Sequence, residues 1–101
     1  MDSNSVKLAA EYLSRARTTH IRLDELAESI RPKGEVEAYQ VQRRLHKKLT
    51  QSGHGAAVGH KIGCTTPVMQ EFLGISNPCA GAVFEPTVID KTGAVDFASY
   101  L

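Results

Sequence analysis

The hydrophobic period of this chain changes once, at a glycine-rich seam. Up to about residue 51, apolar side chains recur every three to four positions, as on one face of a helix. From "GHGAAVGHKIG" onward, glycine and β-branched residues take over and the period falls to two. The class this predicts is α+β, with a helical N-terminal region over residues 1–54 and a sheet-forming region over 55–101. At 101 residues there is material for one modest core.

Within the helical part, "SVKLAAEYLSRART" (5–18) puts Val6, Ala9, Ala10, Leu13 and Ala16 on one stripe, with Ser3 or Ser5 as the capping residue. A shorter helix is expected over 23–30, "LDELAESI", where Leu23, Leu26, Ala27 and Ile30 share a face and Arg31-Pro32 ends it. The third runs over 35–51 with acids in its first turn and bases in its last. Its buried stripe is Ala38, Val41, Leu45 and Leu49, and Gly53 stops it.

Beyond the seam a strand is expected over 57–63. Thr66 and Pro67 then have the chemistry of a cap and a first helical residue, and Gly74 closes the short helix "PVMQEFL". The remainder is read as short strands with a hairpin turn at Lys91-Thr92-Gly93. The last segment, "AVDFASYL", is strand-like and stops without a closing element, so the sheet is expected to be truncated and the chain a fragment.

Composition excludes more than it selects. With 42% hydrophobic and 23% charged residues and a net charge of +1, this is neither a disordered chain nor a polyanion binder by bulk charge. Its apolar runs are too short for a signal peptide or a membrane span, which gives a cytoplasmic reading with no membrane partner. In that setting Cys64 and Cys79 are expected to be free thiols.

Lys61 is the residue that asks for an explanation. In a strand over 57–63, Val58, His60 and Ile62 point one way and Gly59, Lys61 and Gly63 the other, so the lysine has no side chain beside it. Immediately downstream, Thr65, Thr66 and the start of the Pro67 helix offer hydroxyls and N–H groups. Together these form a candidate pocket for a small carboxylate or 2-oxo acid. The plainer alternative is a solvated strand lysine between glycines needed for packing.

Other constellations carry less. The run Arg43, Arg44, His46, Lys47 and Lys48 matches the last turns of a helix, where cations complement the dipole, so no nucleic-acid partner is expected. His54, His60 and Cys64 lack zinc-ligand spacing. Glu35 and Glu37 diverge around a helix start and suit capping better than chelation. Cys64 suits packing better than catalysis, having no securely placed histidine to activate it.

Taken in order, Ala38-Tyr39-x-Val41-Gln42, Lys61-Ile62-Gly63, Met69-Gln70 before Leu73-Gly74, and Pro78-x-x-Gly81 resemble the 2-oxopent-4-enoate hydratase and 4-oxalocrotonate decarboxylase family of the fumarylacetoacetate hydrolase superfamily. The resemblance covers nearly the whole chain and implies helices leading into a mixed β-roll, of which residues 55–101 would be an incomplete start. It further implies a lyase of aromatic catabolism that acts on a short 2-oxo-enoic acid with Mg2+ or Mn2+. In that scheme Lys61 is catalytic and assists proton transfer, while Gly63, Thr65, Thr66 and Gly81 bind substrate.

Metal ligands of this family lie on strands later than Leu101, so none is assigned here and no metal is expected to bind this chain alone. The expected partners are the 2-oxo acid and either a second copy or the remainder of the catalytic domain. His60, Cys64 and Cys79-Ala80 depart from the family pattern and leave the substrate open. The competing class is a non-catalytic module that binds a carboxylate or a partner chain.

Overall fold

The computed structural model describes residues 1–96. Its order is helix α1 (Ser3–Thr19), a 3-10 turn (Glu28–Ile30), helix α2 (Glu35–Leu49), a π-type turn (Thr50–His54), strand β1 (Ala57–Gly63), helix α3 (Pro67–Leu73), strand β2 (Cys79–Phe84) and a last 3-10 turn (Glu85–Thr87). The fold is α+β, with α1 and α2 preceding one antiparallel two-stranded sheet whose strands are connected through α3.

Helix α1 is capped one residue earlier than the serines suggest. The Asp2 carboxylate accepts a hydrogen bond from the Ser5 N–H at 2.7 Å, and this bond holds its carboxyl below the usual carboxylate range. At the other end His20 takes the left-handed conformation, φ 57°. Along α1 the small residues Ala9 and Ala10 are fully buried, which lets α2 approach closely. They meet Val41 and Ile30, with Val6, Leu13, Leu26 and Leu45 packed around them. Burying an aliphatic side chain fully stabilises by about 1.5–3 kcal/mol, so this small cluster is what joins α1 to α2.

The expected helix over 23–30 does not form; only Glu28–Ile30 makes a turn. Arg31 competes with it. Its Nε and Nη2 donate to the Leu26 carbonyl at 3.1 and 2.8 Å, and Nη2 also meets Glu25 at 2.8 Å. That carbonyl is the acceptor a helix would give to the Ile30 N–H, which bonds Ala27 instead at 3.0 Å. With that acceptor taken, the segment keeps only its last turn. The apolar pattern is still used, because Ile30 is buried and Leu26 packs beside it.

Helix α2 buries Val41 and Leu49 as expected, but Ala38 is exposed and lines a groove instead. The chain leaves it through two left-handed glycines, Gly53 (φ 91°) and Gly55 (φ 79°). Gly55 is required by its surroundings, since a Cβ there would lie 2.6 Å from the Pro86 Cδ.

Strands β1 and β2 pair Gly59 with Val83, Lys61 with Gly81 and Gly63 with Cys79, with a bulge between Ala57 and Gly59. Phe84 ends β2 buried, its ring edge-on to His46 of α2 at 5.5 Å. Burial, together with the nearby Arg17 charge, lowers the His46 pKa.

β2 is the last strand among the described residues, so the further short strands are not found there. No hairpin forms at Lys91-Thr92-Gly93, because neither residues 88–90 nor residues 94–96 form a strand; Lys91 itself sits in the left-handed region at φ 61°. The rest of the expected "AVDFASYL" strand, residues 97–101, lies outside the described residues, and Ala94–Asp96 is not a strand.

Candidate functional site

The sheet answers why a lysine stands at position 61, and the answer lies across the strand. Opposite Lys61 is Gly81, and a Cβ on Gly81 would stand 3.2 Å from the Lys61 Cε and 3.6 Å from its Cγ. The lysine stem therefore lies in the space that the missing side chain leaves. Flanked by Gly59 and Gly63 and faced by Gly81, it runs over bare backbone, and its ammonium makes no hydrogen bond or ion pair among the described residues.

After β1 the chain turns sharply. Cys64 adopts φ 56°, in the left-handed region that a residue other than glycine seldom takes. Its carbonyl is fixed by the Gln70 side chain of α3, whose Nε2 donates at 2.9 Å. Thr66 caps α3 as expected, its Oγ1 accepting from the Met69 N–H at 3.3 Å, and Gly74 (φ 68°) ends the helix. The capping uses one of the N–H groups that the sequence offered to a ligand, while Pro67 has none to give.

Thus the predicted residues fall into two groups. Lys61 and Gly81 are in contact; Gly63, Thr65 and Thr66 follow along the same stretch, and no hydrogen bond links Lys61 to either threonine.

A feature the sequence did not disclose is the polar stripe of α2. Glu35, Tyr39 and Gln42 stand at helical spacing and all reach the β2 side. Asn77 donates to Glu35 at 2.7 Å, the Ala80 N–H donates to the Tyr39 hydroxyl at 2.9 Å, and the Gln42 amide donates to the Ala80 carbonyl at 2.9 Å. Both backbone groups of Ala80 are directed away from β1 and met by α2. The groove between α2 and the Gly74–Ala80 segment, about 790 Å³, is lined by these residues together with Pro32 and Ile75. The 35/39/42 spacing was visible in the sequence, but its partners depend on the sheet.

The basic run of α2 does not form one patch. His46 turns inward to Phe84 and Arg43 faces the sheet side, while Arg44, Lys47 and Lys48 line a small groove of about 150 Å³ with Lys7, where Lys48 pairs with Glu11 at 3.5 Å. Among the described residues, no three histidine, cysteine or acidic side chains are grouped to hold a metal ion. No helix among them is long and apolar enough to cross a membrane.

No model of a known protein family matches the chain. It is similar to a 2-keto-4-pentenoate hydratase of Paraburkholderia phymatum. The two are 32% identical over 99 residues, which is 97% of this chain and 37% of that protein. The chain thus spans little more than a third of the length of the hydratase it matches. The aligned stretch takes in both helices of the N-terminal region and the β1–α3–β2 unit, because nearly all of the chain is aligned.

Proposed function

We propose that this chain is a portion of a hydratase acting on short 2-oxo-enoic acids, in which Lys61 meets the acid's oxygens and assists proton transfer as the enol or enolate forms. The observation that carries the reading is the likeness to 2-keto-4-pentenoate hydratase along 97% of the chain. The surroundings of Lys61 support it: a cation with no protein partner among the described residues lies against a glycine that leaves it room. An anionic ligand is the natural counter-charge for such a group.

Gly63 and Gly81 would allow close approach of the ligand, and Thr65 and Thr66 would supply hydroxyls at the neighbouring turn. In this reading the metal of the resemblance, Mg2+ or Mn2+, would polarise the 2-oxo and carboxylate oxygens, held by residues on further strands. Turnover is therefore assigned to an assembly that includes further strands, and this chain alone is assigned binding without catalysis. We place the assembly in the cytoplasm.

Titration of 2-oxopentanoate into the folded chain, followed by calorimetry with and without Mg2+ or Mn2+, tests the reading. Binding should be present without metal and at least tenfold weaker in Lys61→Ala, a loss of about 1.4 kcal/mol or more. Equal binding by Lys61→Ala, or no heat from a chain shown by circular dichroism to be folded, would refute it.

A second reading is favoured by one specific observation: Val68 and Phe72 of α3 and Ile62 of β1 are 75%, 81% and 68% exposed. Apolar side chains this open suit a module that packs on another chain. Concentration-dependent sedimentation that disappears in Phe72→Ser, together with no oxo-acid binding, would favour the module over the enzyme.

A further inference from the structure

Cys64 and Cys79 are fifteen positions apart, yet their sulfurs lie 3.6 Å from each other. The sheet register creates this meeting. Gly63 pairs with Cys79, and because Gly63 has no side chain the Cys79 Sγ lies over it, 3.9 Å from where a Cβ would be and 3.8 Å from the Gly63 carbonyl oxygen. The left-handed turn at Cys64 then directs the next side chain back toward β2. Cys79 is exposed and Cys64 half-buried, so a reagent in solution reaches the pair from the Cys79 side.

Two thiols this close are a short side-chain rotation from a bond, and a disulfide requires a sulfur separation of about 2.05 Å. Hydrogen bonding with Cys79, reinforced by desolvation, pushes the Cys64 thiol up, and Cys79, the exposed member of the pair, is the one a reagent in solution meets first.

We propose that Cys64 and Cys79 are a reversible redox pair, oxidised by a small-molecule disulfide such as glutathione disulfide, whose bond ties the connection carrying α3 to the start of β2. The Cys79 thiolate attacks one sulfur of glutathione disulfide, forming a mixed disulfide and releasing one glutathione thiolate. The Cys64 thiolate then attacks the Cys79 sulfur, forming the internal bond and releasing the second glutathione. Two protein thiols are oxidised, one glutathione disulfide is reduced, and the two thiol protons pass to the two glutathiones. The bond closes a loop over residues 64–79 that contains all of α3 and adjoins Lys61 through Gly63. It does not depend on the proposed hydratase function, since its readout is the bond itself.

The test equilibrates the full chain in glutathione buffers of rising disulfide content, quenches with acid, alkylates with iodoacetamide and reads intact mass and peptide map. The expected product is lighter than the reduced chain by two hydrogen atoms, carries neither glutathione nor alkyl group, and links the Cys64 and Cys79 peptides. Cys64→Ser should stop at a mixed disulfide on Cys79. Both thiols still alkylated in the most oxidising buffer, or two separate glutathione adducts, would overturn the pair. Amide exchange over residues 65–78 should slow at least tenfold on oxidation, and unchanged exchange in the bonded chain would overturn the tie on α3.

Discussion

Gly55 gives the sharpest test of how the helical and sheet regions are joined. It sits at φ 79° and ψ −178°, a combination populated almost only by glycine, and a Cβ there would stand 2.6 Å from the Cδ and 2.9 Å from the Cγ of Pro86. Gly55→Ala therefore incurs two separate penalties. Backbone strain costs about 1–3 kcal/mol, and forcing a methyl against a rigid ring costs about 1–3 kcal/mol more.

Against a stability of roughly 5–15 kcal/mol for a domain, a combined loss of about 2–6 kcal/mol is large. Pro86→Ala removes the ring atoms but not the backbone conformation. In that background Gly55→Ala should cost only the strain, leaving a coupling of about 1–3 kcal/mol, the clash itself, between the two positions. Urea unfolding followed by far-UV circular dichroism measures all four members of the cycle, with the midpoint moving at constant slope. A loss below about 0.5 kcal/mol for Gly55→Ala, or the same loss in both backgrounds, would refute the argument.

Acid should weaken the fold through identifiable groups. The Glu37 carboxylate accepts the Lys33 N–H at 2.7 Å and the terminal ammonium at 3.1 Å, the first of these lowering its pKa most, and Asp2 is lowered by its cap bond to Ser5. Because both folded pKa values lie below the unfolded ones, their stabilisation is complete above the unfolded values and is lost as pH falls through the folded ones. Glu37→Gln with Asp2→Asn should flatten the stability profile below about pH 4, and an unchanged acid slope counts against these bonds. His46 has the same sign for a different reason, since its partly buried ring resists protonation: stability should already begin to fall as pH drops through about 6.5, and His46→Gln should remove that slope. Tyr39→Phe and Gln42→Ala should each cost about 0.5–1.5 kcal/mol; in the tyrosine variant the Ala80 amide should exchange faster, and unchanged exchange there would mean that the contact is not held in solution.

What could be read from the sequence was what short-range chemistry decides. Thr66 with Pro67 and Gly74 delimit α3, the alternation around His60 and Ile62 marks β1, and the apolar stripes place α1 and α2. The helix expected over 23–30 failed because an arginine outside the apolar pattern captured the Leu26 carbonyl, a competition that periodicity does not register. Ala38 was assigned to the core on spacing alone, but the neighbouring stripe of Glu35, Tyr39 and Gln42 had its own partners on the β2 side.

At the candidate site, the glycines beside Lys61 were visible, whereas the one that its stem touches, Gly81, entered only through family likeness. Its contact with Lys61, like the meeting of Cys64 with Cys79, is set by strand register, which no local pattern specifies.

The hold of α2 on Ala80 also gives the sheet a direction. With the N–H and carbonyl of Ala80, near the start of β2, already engaged by a helix, that part of the margin is closed to an incoming strand. The outer edge of β1, the strand that carries Lys61, has no such helix bonded to it among the described residues, and it is the side on which the ribbon is open to extension. Whatever chain supplies the next strand would therefore be laid down beside the lysine and not behind the helices, so enlarging the sheet and walling the site would be a single event.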